Sequence, residues 1–297
     1  MKKLYLVLLC AMLMVGVCHA QSKNNKKKKS SAAYNKQNKE NEIFLEKQFW
    51  LGVKGGITLT KPSVQKTYTV VSPTNYNASG KKYESFKQVG GQLALEVAFY
   101  FKGISISFQP TYQSSNFSYS NTYSWSSTAD DVLYSTELMY EQDQKLEHLL
   151  LPFVAKYEFT GNKLRPYFQA GFYQGILLNA TKSVIISGVD QGAGGTNEFK
   201  NEPVIVGAKD LFAKYYWGLI GGAGVYYNLG NVRLNLDVQY RYGMSNITSV
   251  ENRYSNSQLM GIGDVMDDLH MDNLAIAVGC LFPMRFLQSG FKSLDRK

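Results

Sequence analysis

The sequence predicts an all-β chain: an eight-stranded antiparallel up-and-down barrel that crosses a membrane on its strands, with long extracellular loops and short periplasmic turns. Three observations carry this. Eight segments alternate apolar and polar residues with a period of two, the connections between them alternate short and long, and aromatic residues gather near the segment ends.

Ahead of the first segment lies a leader. Lys2 and Lys3 precede the apolar run LYLVLLCAMLMVGV, and Cys18-His19-Ala20 follows, the pattern of a secretory signal over residues 1–20, cut after Ala20. The run is shorter than the roughly 20 residues a spanning helix needs. A lipoprotein cut at Cys18 is disfavoured by the bulky Val17 before it. Cleavage removes Cys10 and Cys18 and leaves Cys280 alone, so no disulfide framework supports the fold.

The net charge of +9 is concentrated in residues 21–48, where SKNNKKKKSSAAYNKQNKENE is rich in lysine and poor in apolar residues. Such a segment cannot order itself by burying surface and reads as a disordered periplasmic linker. Anionic lipid head groups, peptidoglycan or an acidic protein are its alternative contacts. Nucleic acid is not expected as a partner of an exported chain.

The barrel is expected over residues 49–286. FWLGVKGGITLT (49–60) sets Leu51, Val53, Ile57 and Leu59 on one face. QVGGQLALEVAFYF (88–101) alternates likewise, with Gln92 and Glu96 opposite its apolar residues, and Lys102-Gly103 turns it into ISISFQPTY (104–112). LEHLLLPFVAKYEF (146–159) keeps Lys156 and Glu158 on one face and passes through Thr160–Lys163 into LRPYFQAGFYQGILL (164–178). YYWGLIGGAGVYYNL (215–229), VRLNLDVQYRYGM (232–244) and DNLAIAVGCLFPMRF (272–286) complete the eight, and residues 287–297 form a short periplasmic tail. Glycines in GVKGG, QVGGQ and GLIGGAG suit strand bending or close backbone approach.

A soluble barrel would bury the apolar face of these strands, whereas a membrane barrel turns it to lipid. The connections decide between them. Links after the second, fourth and sixth strands are two to four residues long and the others roughly 27 to 35, the short and long rims of an outer-membrane barrel. Trp50, Phe101, Tyr157, Tyr167, Tyr227, Phe282 and Phe286 near the short rim, with Trp217 and Tyr240 near the long one, are expected to form two aromatic girdles. Lys54, Glu96, Lys156, Glu158, Arg233, Asp237 and Arg241 then face a lumen just wide enough for side chains. They should pair into a network, because an unpaired buried charge is costly. A filled, non-conducting lumen follows.

The strings LLLPFVAKYEF, LRPYFQAGF, WGLIGGAGVYY and VRLNLDVQYRYGMSNI resemble the PorT-type outer-membrane β-barrel proteins of the Bacteroidota, often called porin family proteins. The similarity spans roughly residues 49–286. It implies an eight-stranded barrel in the outer membrane and carries no catalytic motif; one member of the family is similar to a component needed by a protein secretion and gliding machinery. The Lys-rich leader and the tail after Phe286 depart from that pattern.

Catalysis is not expected, and neither a cofactor nor a metal is called for. His148 and His270 are the histidines of the mature chain, and His270 sits near Asp264, Asp267, Asp268 and Asp272, a cluster that could orient a base or hold a cation. It lacks fixed ligand spacing, and Asp is an ordinary loop residue. Four Asn-x-Ser/Thr matches, at Asn77, Asn116, Asn179 and Asn246, have no standard reader in a bacterial outer membrane. GVDQGAGGTNEF (188–199) reads as a mobile surface loop. NTYSWSSTADDVLYSTELMYEQ (121–142) reads as a strand pair rising beyond the membrane, or as an adaptable binding surface. The expected partners are outer-membrane lipid, the barrel-assembly machinery during insertion, and an envelope protein complex to which the chain is a structural or accessory subunit. The alternative is a stand-alone surface protein that binds ligand or host through its loops.

Overall fold

The computed structural model describes residues 47–69, 76–78, 80–129, 132–159, 163–192, 195–229 and 232–284. The expected signal, most of the Lys-rich segment, the expected C-terminal tail and Phe286 lie outside them. Eight long strands close a ring: β1 (Lys47–Lys66), β2 (Val89–Phe101), β3 (Ile104–Phe108 continued by Thr111–Ala129), β4 (Val132–Glu158), β5 (Leu164–Gly192), β6 (Tyr215–Leu229), β7 (Val232–Gly243) and β8 (Asp268–Pro283). Each pairs antiparallel with its sequence neighbour, and β8 returns to β1 from Trp50↔Pro283 up to Lys66↔Asp268.

Alternation sets the two faces. Along β7, Arg233, Asn235, Asp237, Gln239 and Arg241 are buried, whereas Leu234, Leu236, Val238, Tyr240 and Tyr242 are exposed on the outer wall. That inversion continues around the ring through Val53, Ile57, Leu93, Leu95, Ile106, Phe153, Phe172, Leu219 and Val278. In water such a belt would drive aggregation; against hydrocarbon it is the favourable surface.

Three strands outgrow the belt. On β4 the outward residues change from Leu149 and Leu151 to Glu147, Lys145, Asp143 and Glu141. The strand continues about 16 residues further, about 50 Å along its length at ~3.3 Å per residue. A β-bulge at Glu147/His148 marks the transition. There β5 leaves β6 and pairs instead with Val204–Gly207 and Gly195–Lys200, while β3 takes Tyr76–Ala78 and Lys82–Tyr83 on its other side. The strand pair expected over 121–142 is sheet, and so is the stretch 188–199 expected as a mobile loop. Residues 117–144 form a hairpin paired from Phe117↔Gln144 to Ala129↔Val132, and 188–199 folds as a second hairpin with Gly188 opposite Phe199. Gly192 and Gly195, paired at its tip, are the turn signal, and Gly195 has φ 120°.

The connection between β7 and β8 turns inward. It carries a short helix, α1 (Ser257–Gly261), whose start is capped by the Asn256 side chain accepting from the Leu259 N–H at 3.1 Å. Leu259 and Met266 are buried in one cluster with Phe117, Leu146, Tyr173, Leu177, Leu269 and Met271, and Val265 is buried too. The extracellular half of the ring thus holds an apolar core, with this connection as its plug, and the membrane half holds polar side chains.

Candidate functional site

The lumen is built strand by strand from inward positions. At the short-turn end, Glu158 accepts from Arg233 at 3.3 Å and from Arg165 at 3.4 Å. The Arg233 guanidinium lies 4.2 Å from the Trp50 ring centroid and also faces Tyr100 and Tyr226, a stacked cation rather than a solvated one. Above it, Glu96 receives Lys156 at 2.5 Å and Lys54 at 2.6 Å, and Lys54 also reaches Asp237 at 2.8 Å. Tyr226 accepts from Lys156 at 2.9 Å, and Gln169 donates to Asp237. Higher still, Arg241 spends its donors on Gln239 and Gln113. The structure places all seven sequence-derived lumen residues here, each buried. The free space among Lys54, Gln92, Gln109, Asp237, Gln239 and Arg241 is about 10 Å³, room for one water at most.

Two of the expected girdle residues belong to this network instead. Trp50 and Tyr167 are buried in the lumen, since each alternates with an outward neighbour, Phe49 and Phe168, and parity sends it inward. Phe101, Tyr157, Trp217, Tyr227, Tyr240 and Phe282 lie exposed on the outer wall. Tyr226, an aromatic at the short-turn end that position alone assigns to the girdle, is likewise inside the lumen, and Arg165 and Tyr100 join it there; alternation with Leu164, Phe99 and Tyr227 is the signal that places all three.

The His270 cluster is dispersed. Asp264 accepts from Lys182, with Tyr119 and Gln142 as further donors. Asp267 accepts from Lys81 and from the Tyr83 hydroxyl, both at 2.8 Å. Asp268 accepts from Arg253 and Asn246, and Asp272 from Tyr240 at 3.0 Å and the Gly243 N–H at 3.1 Å. The carboxylates of Asp264, Asp267 and Asp268 are latches that seat the plug, whereas Asp272 ties β8 to β7, and among the described residues no group of metal-ligating side chains forms. Lys182 and Asp264 are fully buried above the apolar belt. Burial pulls the Lys182 pKa down, against the opposing pull of Asp264. His148 is buried edge-on against Tyr216, 4.9 Å between centroids, a packed lumen residue rather than one at an open rim.

Above the plug, the inner face of the extended sheet and α1 bound an open cleft of about 510 Å³, lined by Leu138, Tyr140, Ile186, Phe199, Asn201 and residues 260–263.

The family model of the outer membrane protein β-barrel domain matches residues 20–249. This chain belongs to that family. As an outer membrane β-barrel protein it resides in the outer membrane. It aligns with Neisserial surface protein A at 14% identity over 79% of this chain and 96% of that one, TM-score 0.28. Ail of Yersinia pestis, solved with the heparin analogue sucrose octasulfate, aligns at 10% identity over 79% and 99%, TM-score 0.27. The outer membrane protease OmpT from Escherichia coli aligns at 10% over 80% and 95%, TM-score 0.21. No curated protein sequence matches the chain.

Proposed function

We propose that this outer membrane barrel is a non-conducting, non-enzymatic surface protein that binds a ligand through its extended extracellular sheet, in the cleft between that sheet and α1. The observation that carries the reading is the filled lumen. The about 10 Å³ free among its central side chains supports a lumen closed to solutes, and the reading therefore assigns the work to the surfaces. The cleft, about 510 Å³, has the volume of a small-ligand site and mixes aromatic and aliphatic walls with Asn201 and glycine backbone. Cells displaying the chain should bind members of a peptide and glycan array, and Met260→Trp, which fills the cleft, should remove that binding. Equal binding by a variant trimmed of residues 117–144 would overturn the reading, as would stepwise conductance in planar bilayers.

Export by cleavage after Ala20, a periplasmic linker over 21–48, and transient contact with the barrel-assembly machinery belong to the same proposal. The PorT-type accessory role in an envelope complex rests on the sequence resemblance and on the lysine-rich leader. A cross-linked native particle that dissolves on deletion of residues 21–47 would favour it over surface binding.

A further inference from the structure

Glycine pairs interrupt β1 and β6, and the two members of each pair answer to different demands. A Cβ on the inward Gly56 would lie 2.1 Å from the Ile276 carbonyl oxygen, so that position must be glycine. The outward Gly55 is different: a Cβ there meets nothing within 4 Å. Packing does not require glycine at Gly55, and glycine weakens a strand. What its missing side chain does is shape the outer wall.

Two rows of outward residues cross five strands at this level. Leu93, Gly55, Val278, Leu236 and Val225 are cross-strand neighbours in one row. Leu95, Val53, Cys280, Leu234 and Tyr227 form the next row toward the short turns. Gly55 and the small Cys280 leave a groove of about 560 Å³ between their bulkier neighbours, lined almost wholly by apolar atoms and backed by the backbone of Lys54, Asn235 and Gly279. Leu93 and Val278, 64% and 62% exposed, stand at its sides.

We propose that this groove is a binding site for one acyl chain of a phospholipid from the periplasmic leaflet. The groove is continuous with the lipid-facing belt, so the medium that enters it is hydrocarbon. Its position in the short-turn half of the wall puts it in the periplasmic leaflet of such a barrel. Its volume falls in the range of built ligand cavities, and an acyl chain lying in a concavity has wall atoms on several sides, so its dispersion attraction exceeds that on a convex wall. A lipid held there outlasts its neighbours when the belt is stripped.

The test is native mass spectrometry of the full chain, purified from outer membranes and exchanged through a mild detergent that removes loosely held lipid. The wild type should retain one phospholipid per chain. Gly55→Leu should lose it, while Gly221→Leu, at an outward glycine equally open but outside the groove, should keep it. A wild type without lipid, retention unchanged in Gly55→Leu, or a retained lipopolysaccharide would overturn the assignment. A measurement without any variant stands beside it: maleimide labelling of Cys280 should accelerate several-fold on delipidation. An unchanged rate, or a disulfide-linked Cys280 dimer formed on oxidation in membranes, would overturn it as well, the latter placing a second copy in the groove.

Discussion

Replacing Lys182 by Met isolates the latch that seats the plug. The Lys182 and Asp264 side chains are 0% and 1% exposed, so the substitution removes a cation and leaves a desolvated carboxylate behind. Breaking a buried pair in this way costs roughly 3–5 kcal/mol. The hydroxyl of Tyr119, 3.4 Å from Asp264, and the Gln142 amide, 3.3 Å away, continue to donate, which places the expected cost at the lower end, about 3 kcal/mol. At about 1.4 kcal/mol per decade, that is roughly a hundredfold rise in the population with the plug released. Native-state proteolysis of residues 244–267 in vesicles reads this population directly when opening and closing outpace cleavage. The wild type should be cleaved about a hundred times more slowly than Lys182→Met, with the membrane half of the barrel intact. Lys182→Met combined with Asp264→Leu should recover most of the loss, because no charge is then left without a partner. A change below threefold, or a double variant no better than the single one, would refute the assignment of this pair as the plug's latch.

Three further outcomes follow from the same geometry. Lys54→Met leaves Glu96 and Asp237 sharing fewer cations and should lower resistance to urea unfolding by about 3 kcal/mol, without opening a conductance. Trp50→Ala, which removes a lumen aromatic stacked on Arg233, should cost about 3–5 kcal/mol in the same assay; the outward Phe49→Ala should cost well under half of that. The third concerns pH. Although burial favours the neutral acid, hydrogen bonds from Arg253, Asn246 and Tyr68 hold the Asp268 carboxyl below its usual range. A carboxylate depressed in the folded state stabilises above its unfolded pKa, about 3.9, and that contribution fades as pH falls through the folded value. Hydrogen exchange around residues 246–253 should therefore be flat from pH 7 to about 4.5, after correction for intrinsic rates, and rise below about 3.5; Asp268→Asn should show no such rise.

Much of this architecture was legible in the sequence, because a barrel wall obeys one simple rule. Period-two alternation located all eight strands and assigned Lys54, Glu96, Lys156, Glu158, Arg233, Asp237 and Arg241 to the interior. Aromatic residues defeat that rule when read by position alone, since Trp50 at the interface and Trp50 in the lumen occupy the same stretch of sequence. Parity with Phe49 separates the two cases. The tall hairpins were harder to read. Outside the membrane both faces of a strand can be polar, and Ser/Asn/Thr alternating with Tyr in β3 resembles loop composition as closely as sheet. The plug was not legible at all. Lys182 and Asp264 are far apart in the chain, and nothing in a stretch such as GIGDVMDDLH announces that it folds back into the ring rather than into solvent.

The closing seam has a consequence for how the chain is made. Trp50 and Pro283 are paired neighbours although they are roughly 230 positions apart in the chain, so the ring has very high contact order and the last ladder to form is the one that removes its exposed edges. Until β8 arrives, β1 presents an unpaired edge along its length, in a medium where unsatisfied backbone amides are costly. Synthesis order therefore imposes a waiting period on the N-terminal strand, and a helper that shields that edge would set the rate at which finished copies accumulate.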